Sequence, residues 1–502
     1  VTFTNKAAAE MRSRIQELLC RPVDGMWVGT FHGVAHRLLR LHWKEIGLKE
    51  SFQIIDSEDQ VRVLRRIIRD LELDEGEWSP KEVQLKINEW KEKGLRANKI
   101  EDLNDRAEDV IRKIYINYED LCNRSALVDF AELLLRAYEL WVSSPTLLAN
   151  YRDRFRHIMV DEFQDTNWLQ YMWLKTLTGD SGNLFIVGDD DQSIYSWRGA
   201  KIENMRFFQR DYPSHQIVRL EQNYRSTSTI LEAANSLIAY NPSRIGKQLW
   251  TDGDRGEKIR LYSAYTEIDE ARFVVESIIA WSENNRRLLD CAILYRVSAQ
   301  SRVLEDALRE QDISYRVYGG FRFYERAEIK DTIAYLRLLY SKDDDAAFER
   351  VVNFPPRGIG LQTLEQVRRL AKENKITLWM ASSILAENRE FSARARSAFN
   401  KFFALIEGLE SLVSTNDLAS LIMATIENVG LEEHYQKDKS GRGLDRIENL
   451  QELVVAARDF VPEEDQQLLG SFLAHAVLES GESQAVLGSD YVQLMTLHSA
   501  KG

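Results

Sequence analysis

HIMVDEFQDT, residues 157–166, joins a short apolar run to an acidic, amide-bearing turn. Ile158, Met159 and Val160 read as the end of a buried strand, which sets Asp161 and Glu162 at its carboxyl edge, where open α/β sheets place their ligands. Two adjacent carboxylates there can divide the work of phosphoryl transfer. One holds Mg²⁺ through hard oxygen ligands, while the other orients or deprotonates the water that attacks phosphorus. By itself the stretch fits a plain strand end with a solvated acidic turn equally well. Its surroundings decide between the two.

Downstream, LFIVGDDDQSIYSWRGA (184–200) repeats the pattern. A second buried strand reaches Gly188, where the chain turns into three aspartates, Gln192, and then Tyr195, Trp197 and Arg198. Aromatic and arginine side chains in a polar turn, outside any apolar period, suit stacking on a flat base. The alternative is that Trp197 plugs a domain interface. From residue 217, IVRLEQNYRSTSTILEAANSLI sets Tyr224 and Arg225 at a strand-to-helix turn that Ser226 or Thr227 can cap. An aromatic beside an arginine offers a base a stacking face and a γ-phosphate a fixed fork. Upstream, residues 1–15 give a strand, a Thr4-Asn5 cap and an Ala-rich helix, and residues 27–40 give a similar unit. The polar tips of both turns either present N–H groups to a phosphate or simply cap their helices.

Between these turns the apolar spacing is helical over 50–150 and again over 342–487. KIRLYS, CAILYR and YRVYG read as strands that alternate with the helix SRVLEDALRE, as in a parallel sheet. Gly319-Gly320 leads into FRFYERAEIKDTIAYLRLLY, expected to be a long amphipathic helix. Pro355 to Gly360, PPRGIG, is a tight turn that opens a helix, and it either presents N–H groups to a duplex phosphate or forms a structural corner. The domain reading is a first α/β block at 1–49 and 151–213 with a helical insertion at 50–150. A second block follows at 214–341 and 488–502, with an insertion at 342–487. An arginine from one block reaching a phosphate held by the other makes closure depend on ATP, which is the logic of a motor.

Composition narrows the class. The 502 residues exceed one core and suggest about three or four units. A 44% apolar fraction with eight prolines is that of a well-folded globular chain. The three scattered cysteines, Cys20, Cys122 and Cys291, lack metal-ligand spacing and fit reduced thiols in a cytosolic protein. No apolar run approaches the length of about 18 residues that a membrane span needs. A net charge of −13 excludes coating of nucleic acid by bulk attraction, so any DNA contact rests on locally placed basic and aromatic groups.

In order, VTFTNKAAAEM, VGTFH, LVDFAELLLRA, VDEFQDTN, VGDDDQSIYSWRGA, LEQNYRS, AILYR with QSR, GGFRFYERAEIKD, PRGIG and VQLMTLHSAKG resemble the motif series of superfamily 1 DNA helicases of the UvrD/Rep/PcrA type. The resemblance covers essentially the whole chain. It implies an α/β fold of two RecA-like parallel-sheet domains, each with a mainly helical insertion. It also implies an ATP-dependent helicase that moves 3′ to 5′ on single-stranded DNA and opens duplex at junctions. Carried over residue by residue, Asp161 would coordinate Mg²⁺, Glu162 would activate water and Gln192 would sense the γ-phosphate. Arg225 would act as an arginine finger, and Tyr224 would stack near the adenine. Phe3, Thr30, His32, Tyr195, Trp197, Arg198 and His498 would line the single-stranded DNA path. Gly358, Gly360 and Thr363 would face duplex. The implied partners are mismatch and nucleotide-excision repair proteins in the bacterial cytoplasm, at the nucleoid.

Departures from the pattern set further expectations. The chain opens in mid-strand without an initiator Met and stops at Gly502 as a loop begins, so it reads as an interior fragment. The family's phosphate loop would lie just upstream of Val1, and an acidic residue and a second phosphate-binding arginine would lie beyond Gly502. This chain alone is therefore expected to hydrolyse ATP negligibly. Ser196 stands where close relatives usually have Gly, with a modest stiffening of the turn expected. Two other classes share these features. A helicase-nuclease subunit would carry a nuclease domain with clustered carboxylates downstream, and a non-motor DNA-binding remnant would show losses within the motifs. Asp161, Glu162, Gln192 and Arg225 are all intact.

Overall fold

A computed structural model describes residues 1–23, 25–100, 106–179, 182–241, 244–283, 286–318, 323–414, 417–438, 443–462, 467–478 and 490–501. The side chain of Arg198, the Gly319-Gly320 pair and the expected boundary at 487/488 lie outside the described residues. Strands are short: β1 (Gln53–Ile55), β2 (Leu127–Asp129), β3 (His157–Val160), β4 (Asn183–Ile186), β5 (Ala292–Tyr295), β6 (Tyr315–Tyr318) and β7 (Val492–Thr496). All described pairings are parallel: β1 with β2, β3 with β4, and β7 between β5 and β6. Among the described residues no helix is long and apolar enough to cross a membrane.

The β3–β4 pair, in register from His157↔Asn183 to Val160↔Ile186, anchors the first α/β unit. Ile158 and Val160 face its core with Phe31, Leu38, Trp141 and Leu174. Met159, expected to be buried with them, is 66% exposed. The period of two along a strand puts it on the opposite face from its neighbours. Thr2 joins Thr30 through a parallel bridge, and Asp161 N donates to the Val1 carbonyl at 2.9 Å, so residues 1–2 lie alongside β3. Thr4 caps the helix Asn5–Leu19 as expected, its side chain accepting from Ala7 N.

In the second α/β unit β5 and β6 form where expected, and β7 becomes the central strand. The segments 217–220 and 258–263 do not pair as strands. Without a hydrogen-bonding neighbour they have no ladder, and Leu220 and Leu261 remain 81% and 98% exposed.

The described residues of 50–150 are mainly helical around the β1–β2 pair, with Leu64, Ile87, Tyr115 and Tyr118 in their core. Lys91 is buried there, and its Nζ lies 2.6 Å from Asp129 and 2.8 Å from Glu132. A second helical unit is built on the helix Ala327–Tyr340. The expected solvent stripe of that helix does not exist. Eleven of its 14 residues are buried, because its charges find partners instead of water. Arg337 donates to Asp344 at 2.7 Å and to Asp59 of the first helical unit at 2.5 Å, while Asp331 pairs with Arg350 at 2.6 Å. Lys330 adds pairs to Asp56 and Glu58 at 2.7 and 2.6 Å, so the two helical units meet through ion pairs.

Candidate nucleotide and nucleic-acid site

At the carboxyl edge of β3 the chain turns on Glu162, whose backbone is left-handed (φ 51°, ψ 40°). A non-glycine residue there is uncommon and marks a position held by its surroundings. The holding group is Gln164, which is fully buried. Its Nε2 donates to Glu162 Oε2 at 2.5 Å, and its Oε1 accepts from Asp189 N at 2.9 Å, tying the turns after β3 and β4 together. Gly188 is required by this closeness rather than by a special backbone angle. A Cβ there would lie 2.7 Å from Gln164 Oε1 and 2.8 Å from Met205 Cε.

Asp161 accepts from Thr2 Oγ1 at 3.3 Å. Asp165 Oδ2 accepts from Lys501 Nζ at 2.6 Å, and the same ammonium donates to the Gln192 carbonyl at 2.5 Å and lies 4.0 Å from Glu162. Burial pushes the Glu162 carboxyl above its ordinary range; the Gln164 hydrogen bond and the Lys501 charge pull the other way. Asp165 is raised for the same leading reason, again opposed by Lys501. Gln192 is exposed, and its Nε2 donates to Asp189 Oδ2 at 2.8 Å.

A row of aromatic rings adjoins this cluster. Phe3 stacks on Tyr195 with centroids 5.3 Å apart and planes 22° apart. His498 meets Tyr195 at 6.0 Å and Trp197 at 6.2 Å with planes 87° apart, and the Tyr195 hydroxyl donates to the His498 carbonyl at 3.2 Å. Trp197 keeps 65% of its surface exposed, so its ring is offered outward rather than plugging an interface. Thus Phe3, Tyr195, Trp197 and His498 come together from three distant parts of the chain. Thr30 and His32 serve a neighbouring turn. Thr30 is buried and accepts from Gly33 N at the helix Phe31–Leu41, while His32 packs edge-on against Phe130 and is lowered to about 4 by burial.

Tyr224 and Arg225 sit in an exposed turn whose shape is set by Asn223 Oδ1, which accepts from the N–H groups of Arg225 and Ser226 at 2.9 and 2.8 Å. Tyr224 OH donates to Gln222 at 2.8 Å. Thr227 occupies the cap position of the following helix without a capping hydrogen bond from its side chain. Gly358, Gly360 and Thr363 belong to the second helical unit, where Gly358 has φ 79° and Thr363 N donates to the Gly360 carbonyl at 3.1 Å. Arg357 of the same turn folds inward onto Tyr335 OH at 2.6 Å.

Gln164, Asp165 and Lys501 escaped the sequence reading. The first two lie within the opening stretch, and Lys501 follows β7 at its carboxyl edge, so each carried the positional signal that singled out Asp161.

The carboxylate cluster and the aromatic row stand on paired α/β units, and two sequence families cover the chain. The UvrD/REP helicase N-terminal domain family matches residues 1–213, and the UvrD-like helicase C-terminal domain family matches residues 218–502. The chain belongs to the UvrD-like helicases, with their two-domain α/β fold. It is 54% identical to DNA helicase II of Escherichia coli K12 over 505 residues, which cover all of this chain and 70% of that protein. DNA helicase II of Haemophilus influenzae is 52% identical over 509 residues, with 70% of it covered, and ATP-dependent DNA helicase PcrA of Bacillus subtilis is 37% identical over 513 residues, with 69% covered.

Proposed function

We propose that the protein is a DNA-stimulated ATPase that steps 3′ to 5′ along one DNA strand and displaces the other. Its sites of action are single-strand/duplex junctions, in the cytoplasm, during mismatch and nucleotide-excision repair. The observation that carries this reading is a shared side chain. Lys501 bonds Asp165 and the Gln192 carbonyl while lying 5.1 Å from the Tyr195 ring centroid, so one residue touches both the carboxylate cluster and the aromatic row. DNA seated on the rings and nucleotide seated at the carboxylates would each bias its position.

The donor set fits Mg²⁺, which prefers carboxylate oxygen. Asp161 makes one long hydrogen bond from Thr2, and Asp165 Oδ1 is buried without a hydrogen-bond partner among the described residues. Mg²⁺ held by Asp161 would neutralise phosphate charge. Glu162, its carboxyl raised by burial, accepts the proton of the attacking water. Gln192 reads the γ-phosphate, Arg225 supplies the cationic fork and Tyr224 stacks near the adenine. Phe3, Tyr195, Trp197, Arg198 and His498 carry the single strand, with Thr30 and His32 shaping the adjacent turn. Gly358, Gly360 and Thr363 face the duplex.

Strand displacement tests the reading. The protein expressed from its whole open reading frame is expected to release the labelled strand of a 3′-tailed duplex with ATP and Mg²⁺, and to leave a 5′-tailed duplex intact. Equal release from both substrates would overturn the direction, and release from neither would overturn the helicase reading.

A further inference from the structure

The three aspartates after β4 form the one group among the described residues with metal-ligand spacing. Each of the three carboxylates is already engaged. Arg244 grips Asp191 through two parallel hydrogen bonds, Nε to Oδ1 at 2.7 Å and Nη2 to Oδ2 at 2.6 Å. Ile245 N donates to Asp190 Oδ2 at 2.7 Å, and Lys247 pairs with Asp189. Each aspartate thus has its own donor on residues 244–247. The Arg244 and Asp191 side chains are only 18% and 13% exposed, which favours a fork pair of this kind over an ordinary surface ion pair.

Both ends of this contact lead to the nucleotide site. On the first unit, Asp189 accepts from Gln192 and reaches Glu162 through Gln164. On the second, residues 244–247 run into Trp250, which bridges to the segment before Arg225. Trp250 N donates to the Glu221 carbonyl at 3.1 Å, and Asn223 N donates to the Trp250 carbonyl at 2.7 Å. Asn223 then fixes the Arg225 backbone. Hydrogen bonds, ion pairs and the short chain segment 244–250 therefore connect Glu162 with Arg225.

We propose that Arg244 and Lys247 are positioning residues: clamped on Asp189–Asp191, they set how far the Tyr224–Arg225 turn stands from the carboxylate cluster. The inference rests on the ATPase reading above. A cationic fork is effective only when its geometry is fixed, since a misplacement of about 1 Å can cost on the order of a hundredfold in rate.

The test combines two readouts on the protein expressed from its whole open reading frame. Spin labels at Asp153→Cys and Glu276→Cys, with Cys20 and Cys291 replaced by Ser, report the distance between the two α/β units. Steady-state ATP hydrolysis with saturating single-stranded DNA reports kcat and KM. Arg244→Ala is expected to broaden the distance distribution and lower kcat about tenfold, with KM for ATP held within about twofold. Arg244→Lys, which keeps the charge but loses the fork, is expected to fall between wild type and Arg244→Ala, with a partly broadened distribution and kcat lowered about threefold. An unchanged distribution in Arg244→Ala, or a broadened one with kcat intact, would overturn the clamp. Wild-type protein that hydrolyses no ATP would remove the ATPase reading instead, and the distances alone would then decide whether the clamp exists.

Discussion

Lys501 Nζ lies 2.6 Å from Asp165 Oδ2, although 336 residues separate them in the chain. The contact joins the end of β7 to the turn after β3, and its charge also opposes the upward shift of Glu162. A carboxylate that must accept a proton works above its pKa and fails below it. Removing the ammonium raises that pKa further. Lys501→Ala is therefore expected to move the acid limb of the pH–rate profile to higher pH. A profile that keeps its acid limb in place would contradict the assignment.

Trp197 meets His498 with the two ring planes nearly perpendicular and keeps most of its surface outward. If a base stacks there, Trp197→Ala should weaken single-stranded DNA binding by ~1–3 kcal/mol, while Trp197→Phe should retain most of it. Fluorescence anisotropy of a labelled oligonucleotide, read at one fixed salt concentration, measures the difference. Equal affinity in the alanine variant would remove Trp197 from the DNA path.

Glu92 of the first helical unit packs its carboxylate against Gly199, just beyond Trp197 and Arg198, where φ is 84° and a Cβ would collide with it. Burial pushes Glu92 up to about 7 from an ordinary 4.5; the like charge of Glu89 adds to the shift and Lys201 opposes it. Between those values the unfolded chain loses its proton first, so stability falls as pH rises from 4.5 to about 7 and stays lowered above. Glu92→Gln should therefore gain about 3 kcal/mol at pH 8 and nothing at pH 4. Urea unfolding at the two pH values measures it, and a gain that does not depend on pH would exclude this origin.

Some of this was legible in the chain. Asp161 and Glu162 follow an apolar run directly, and the strand-end rule needs no long-range contact to locate them. Helix Asn5–Leu19 announced itself through Thr4, a local cap. What escaped depends on partners far along the chain. The charges of helix Ala327–Tyr340 look like a solvent stripe until Asp59, Asp344 and Arg350 are brought to them. Arg244 reads as a surface residue until Asp191, 53 positions earlier, is placed against it. Met159 differs for a simpler reason: the apolar run reads as a strand buried on both faces, and only the face of Ile158 and Val160 is covered.

ATP hydrolysis with and without single-stranded DNA, on the protein expressed from its whole open reading frame and on its Glu162→Gln variant, tests the coupling of the two sites. DNA-stimulated turnover is expected in the wild type and a loss of at least about a hundredfold in the variant, with DNA binding unchanged. Turnover that survives the substitution, or that ignores DNA, would contradict that expectation.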